Sequence, residues 1–222
     1  MNLSLDVNSF RTRLESFNPE SYASSRAIAL YSAAIALADD SLMSTAIRAG
    51  LRRGVSGTQF YEIVLQSYLF LGFPRMLIAA DCLNRVIPDF DPPRPPLAVS
   101  AEEAREWIDR GVGLCKEVYD KNYELLKARV EGMAPEIFRW MVFEGYGKVL
   151  SRPDLGIVDR EMAIVACLIM ENRPSQLYSH MRGALNVGAD PGLLAEVVMD
   201  IGESAGDGYL NAHNILERLG VA

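Results

Sequence analysis

The 222-residue chain has little of the chemistry that marks most catalytic or metal-binding sequences. It holds three cysteines (Cys82, Cys115, Cys167) and two histidines (His180, His213). The cysteine spacings fit neither a disulfide framework nor a zinc site, so we expect reduced thiols, no metal and a cytosolic compartment. No basic segment precedes an apolar one at the N-terminus, so no secretory signal is expected. The longest nearly apolar run, Ala27 to Ala38, falls short of the about 18 residues a membrane span needs, and no membrane association is expected. Clustered cations are also scarce. The formal charge is −7, the first 99 residues are net neutral, and only Arg52-Arg53 stand together, which argues against nucleic-acid binding. Strand signals are poor: few β-branched runs, no Asn-Gly turns and no alternation of period two.

What is abundant is helix punctuation. Asn18-Pro19 and Asp190-Pro191 each set a capping side chain before a proline at the first helical position, and Phe73-Pro74 and Ala134-Pro135 supply the proline alone. Ser100-Ala101-Glu102-Glu103 reads as a capping box. Gly54 and Gly188 stand where left-handed caps would end helices. These signals predict an all-α fold with helices near 6–16, 19–38, 41–53, 57–71, 74–86, 101–130, 135–150, 159–171, 174–187, 191–203 and 207–219. Residues 88–96 (PDFDPPRPP) hold five prolines in nine positions, which predicts an extended linker. The chain then divides into 1–86, a linker 87–99, and 100–222.

The two sides share a pattern at an offset of 134 residues. Arg26 falls on Arg160, Leu51 on Leu185, Gly54 on Gly188, Glu62 on Glu196 and Gly72 on Gly206, with no gap. The pattern covers roughly 24–84 and 158–218 and predicts a duplication, with 100–157 as an intervening pair of helices.

Two ionisable residues in the second stretch could work together. Glu161 introduces the apolar run Met162–Met170, and His180 lies in the following helical segment. Each has a plain reading, Glu161 as a first-turn acid favoured by the helix dipole and His180 as a satisfied structural histidine. Coupled across a helical hairpin, they would be a carboxylate–imidazole pair, suited to proton transfer near neutral pH.

The segment Arg160-Glu161 … Gln176-Leu177-x-x-His180-x-x-x-Ala184-Leu185-Asn186-x-Gly188-Ala189 … Glu196 resembles the carboxymuconolactone-decarboxylase-like superfamily, which includes the alkyl-hydroperoxidase D proteins. Ala49-Gly50-Leu51-x-x-Gly54 … Glu62-x-Val64-Leu65-Gln66 … Gly72-Phe73-Pro74 resembles it too. Peroxidase members carry Glu-x11-Cys-x2-Cys-x3-His. On this chain Glu161 and His180 occupy the ends of that pattern, while Arg173 and Gln176 stand in the cysteine positions. Dithiol peroxidase activity is therefore not expected. Cys167, alone in an apolar run, reads as a core residue.

The resemblance then implies a thiol-independent enzyme of decarboxylase or lyase type acting on a small carboxylated substrate. Glu161 and His180 would be the acid–base pair, and Arg173 would hold a carboxylate. Gln176 and Tyr178 would donate single hydrogen bonds, and His213 could line the same cavity. No cofactor is implied. A non-catalytic member that binds a small molecule or serves assembly is the alternative, and peroxidase chemistry through Cys167 alone is a third reading. In the first stretch Ala27 and Ala46 stand opposite Glu161 and His180, so it reads as scaffold. Relatives with one repeat form rings of six, so the resemblance implies a homo-oligomer, a trimer or else a dimer.

Overall fold

A computed structural model describes residues 4–221, and these are all helix, turn and loop, with no strand among them. Helix α1 spans Val7–Glu15, α2 Ala23–Leu37, α3 Asp40–Leu51, α4 Gly57–Val86, α5 Ala101–Tyr119, α6 Tyr123–Met133 and α7 Pro135–Trp140. A π-helix follows at Met141–Leu150, then α8 Ile157–Met170, α9 Pro174–Asn186, α10 Pro191–Ile201 and α11 Asp207–Leu219.

The centre is built by α2 and α8, which pack against each other. Every residue from Arg26 to Ala36 and from Arg160 to Met170 is buried. Such all-round apolar helices are stable only as core, because no face of theirs prefers water. Ser32 fits this dry contact by donating its hydroxyl to the Ala163 carbonyl, 2.7 Å away. The remaining helices supply one apolar face each, and their starts are fixed by side chains. Asp6, Asp39, Ser56, Ser100 and Asp190 each accept from a backbone N–H of the first turn.

Several expected boundaries move. Pro19 does not start a helix; α2 begins after Tyr22, which sits in the left-handed region at φ 51°. The reciprocal capping box lies at Ser56 and Gln59, whereas at Ser100 only the serine half is formed. The single helix expected over 101–130 is broken at Asp120, φ 45°, by a short 3-10 turn before α6. The helices expected at 57–71 and 74–86 run end to end as α4. At Gly72 the backbone leaves the helical region, φ 80° and ψ 164°, a geometry only glycine adopts freely. Although α4 is long and apolar enough to cross a membrane by length and composition, this break leaves no straight helix of that length.

The 134-residue offset is present in the helix ends. Adding 134 carries α2 onto α8, α3 onto α9, the start of α4 onto α10, and the part of α4 beyond Gly72 onto α11. Gly54 and Gly188 both adopt positive φ, 84° and 93°. Ion pairs tie the two stretches reciprocally. Arg160 Nη2 donates to Glu62 Oε2 at 2.7 Å, and Arg26 Nη1 meets Glu196 Oε2 at 3.0 Å. Arg160 also donates to Gln66, and Arg26 to Asp200, which occupies the corresponding place. Each arginine therefore reaches across α2 and α8 to the other stretch.

Candidate functional site

Helices α8 and α9 form a hairpin turned at Asn172, whose φ is 51°. Because α8 starts at Ile157, Glu161 lies in its second turn and is fully buried, so the first-turn dipole reading does not apply. Across the hairpin, His180 Nδ1 lies 2.9 Å from Glu161 Oε2. An ionised Glu161 can only accept, and that arrangement assigns the proton to Nδ1 and leaves Nε2 as the other ring nitrogen. Glu161 Oε1 is buried with no hydrogen-bond partner among the described residues. The pair is thus assembled within one chain.

Close packing explains how this meeting is held. A side chain at Gly183 would put a Cβ 2.7 Å from Val118 Cγ1, so glycine is what lets the end of α5 lie against α9. Asn186 fastens the contact, donating to the Val118 carbonyl at 2.8 Å. The Ala-Leu-Asn stretch of the sequence motif therefore acts as an anchor for α5, and it delivers Tyr119 beside the pair.

His180 lines a cavity of about 230 Å3. The walls are mostly apolar, with Leu69 and Phe70 from α4, Ile137 and Trp140 from α7, and Met141 and Leu150 from the π-helix. Phe70 meets the imidazole edge to face, centroids 5.3 Å apart. The polar lining is Tyr119, Tyr146 and Glu144. Burial pushes the Tyr119 hydroxyl up to about 12, and burial likewise holds Tyr146 well above the usual phenol range. Both phenols stay protonated, and Tyr146 donates its hydroxyl to Tyr119, which leaves the Tyr119 O–H as the donor not used between them. Glu144 accepts from Tyr68 at 2.9 Å.

The π-helix that aims Glu144 and Tyr146 is rare in length and winding. Its form follows from two glycines. A Cβ at Gly147 would sit 1.9 Å from the Trp107 carbonyl, and one at Gly111 would sit 2.1 Å from the Val142 carbonyl. Backbone touches backbone there, and the wide winding of 141–150 accommodates α5. No sequence periodicity announces a π-helix, so Tyr119, Glu144 and Tyr146 were not among the expected site residues. The nearest signal was Gly145-Tyr146-Gly147, a glycine pair inside a helical run.

The other expected site residues lie elsewhere. Arg173 is exposed ahead of α9 and faces Glu171 at 3.6 Å; it does not line the His180 cavity. Gln176, in the first turn of α9, is exposed and absent from it as well. His213 on α11 pairs with Glu217 at 3.7 Å, away from the cavity. Tyr178 lines a second, larger cavity on the other side of Tyr119. Arg173 and Gln176 share a reason: the start of α9 is solvated, and only from Leu177 onward is one face of it packed. Among the described residues that line the His180 cavity, no arginine or lysine would hold a carboxylate as Arg173 was expected to. Among the described residues no cluster of three His, Cys, Asp or Glu could hold a metal ion.

Cys167 is buried, and burial raises its thiol to about 12, so it carries almost no thiolate near neutral pH. That removes the basis of the single-cysteine peroxidase reading.

No family model matches the chain. It is similar to Peroxisomal protein 2 of Saccharomyces cerevisiae (strain ATCC 204508 / S288c), 22% identical over 156 residues that cover 60% of this chain and 55% of that protein. The chain thus spans about half the length of the curated relative it matches.

Proposed function

We propose that the chain is an acid–base enzyme in which His180 moves a proton at its Nε2 and Glu161 orients and charges the ring. The observation that carries this reading is the buried 2.9 Å contact at the wall of a cavity sized for a small molecule. Tyr119, kept protonated and polarised by the hydrogen bond it accepts from Tyr146, would donate to an oxyanion that develops on the substrate. The resemblance to decarboxylase-type proteins supports the reaction class, since loss of CO2 and carbon protonation need such a pair. The apolar lining favours a substrate with a largely hydrocarbon surface. A carboxylate on it would be desolvated there, a state that favours release of CO2.

A non-catalytic binding member of the same fold is the second reading, favoured by the same apolar walls. The two separate in one assay. Small carboxylated lactones and keto acids are incubated in D2O, and both deuterium exchange at carbon and loss of the carboxyl group are followed by proton NMR. The expected result is turnover that falls by about a hundredfold or more in His180→Ala, with the fold retained. Equal rates in wild type and variant, or binding without exchange, would leave the binding reading.

We also infer that the 134-residue correspondence reflects an internal duplication, which the reciprocal arginine pairs support. The exposed apolar residues Phe73, Leu77 and Ile78, with Trp140 at the cavity, support self-association. Three buried, unbridged thiols support a reducing compartment.

A further inference from the structure

The second cavity, about 460 Å3, lies between α6 and α9 and is closed at one end by α11. In a chain of net charge −7, it is lined among the described residues by three arginines and by no carboxylate. Arg129 comes from α6, Arg182 from α9 and Arg218 from α11. Among the described residues none of the three guanidinium groups is ion-paired. One tyrosine holds two of them: Arg182 Nη1 donates to the Tyr178 hydroxyl at 3.4 Å, and the Arg218 guanidinium lies 4.7 Å over the Tyr178 ring. Stacking on a ring face leaves the in-plane N–H groups of Arg218 free, and a guanidinium fork matches the geometry of an oxyanion. The first turn of α9, with Pro174 and Ser175 in the cavity wall, has no side-chain cap and adds uncompensated N–H groups of the sign an anion seeks.

We propose that this cavity is a binding site for a small molecule bearing two or more oxyanion charges, either a phosphate or diphosphate group or a polycarboxylate. Arg182 and Arg218 hold the anion, Tyr178 positions both, and Arg129 completes the positive wall. The site does not depend on the proton-transfer reading, because none of these arginines lines the His180 cavity. Tyr119 forms a wall of both cavities, so an occupant here would touch the same phenol that faces His180.

Calorimetric titration of the full chain at low salt, with inorganic pyrophosphate in one arm and citrate in the other, tests the site. We expect one saturable event in at least one arm, weakened about tenfold or more in Arg182→Gln/Arg218→Gln and by added salt. Saturation by pyrophosphate alone would identify the phosphate class, and by citrate alone the carboxylate class. Arg48→Gln/Arg52→Gln, which removes the α3 arginine corresponding to Arg182 and the arginine that caps the end of α3, should bind as wild type does. Absence of saturable binding in both arms, or equal affinity in the Arg182→Gln/Arg218→Gln variant with its melting temperature unchanged, would overturn the proposal.

Discussion

The stretches 24–84 and 158–218 share helix ends, glycine caps and an arginine that reaches across to the other stretch, yet they differ where chemistry would occur. At the places of Glu161 and His180 the first stretch has Ala27 and Ala46, both buried. What the stretches share is what holds the molecule together. What they do not share is a buried ionisable pair, which adds nothing to packing that alanine could not supply. A buried carboxylate and imidazole are costly to maintain, and under the proposed function the side that holds them is the working one.

The shared ion pairs themselves differ in burial, and this gives the largest expected effect. Arg160 and Glu62 are 0% and 1% exposed at their side chains, whereas Arg26 and Glu196 are 10% and 45% exposed. Glu62→Gln leaves Arg160 buried with weakened compensation and should cost about 3–5 kcal/mol in urea unfolding. Glu196→Gln, at the corresponding place, should cost less than about 1 kcal/mol, because the pair is solvated and Arg26 keeps Asp200. Equal costs would mean that the two pairs are not distinguished by burial.

Converting the second stretch to the residues of the first is the next test. Glu161→Ala and His180→Ala each leave a partner buried alone, while the double variant leaves neither. The double should therefore be more stable than the sum of the singles implies, by about 1–3 kcal/mol. Strict additivity would mean that the two groups are not coupled.

A smaller effect follows from a buried thiol of the second stretch and from a buried thiol and phenol of the helices between the two stretches. Burial raises Cys115 and Cys167 to about 12, and Tyr119 as well. The folded state thus holds these protons after the unfolded chain has begun to release them. Their stabilising contribution is complete below pH of about 8.5 and is lost as pH climbs toward 12. Melting temperature should fall by several degrees between pH 8 and pH 10.5. Rapid alkylation of Cys167 in folded protein at pH 8 would contradict this account of its burial.

Much of this was legible in the sequence. Proline and glycine punctuation located the break at Gly72 and the starts of α7, α9 and α10, because these residues act through local backbone geometry. The apolar run of α8 marked a buried helix, and a helical hairpin was expected to bring Glu161 and His180 together. The cavity was not legible. Two of its polar residues, Glu144 and Tyr146, come from a π-helix whose winding depends on a backbone contact between Gly147 and Trp107, forty residues apart, which no local pattern encodes. Arg173 and Gln176 were expected at the site through their place in a motif, but the solvated start of α9 keeps them outside. Tyr178 was selected as a hydrogen-bond donor near His180, and it faces the opposite cavity.

The central claim is that Glu161 sets the proton position on His180 so that Nε2 serves the cavity. Long-range nitrogen–proton NMR of the His180 ring tests it directly, in wild type and in Glu161→Met, whose side chain suits an apolar helix and cannot accept. The expected result is an Nδ1-bound proton in wild type that passes to Nε2 in the variant. Identical ring spectra in the two proteins would contradict the claim.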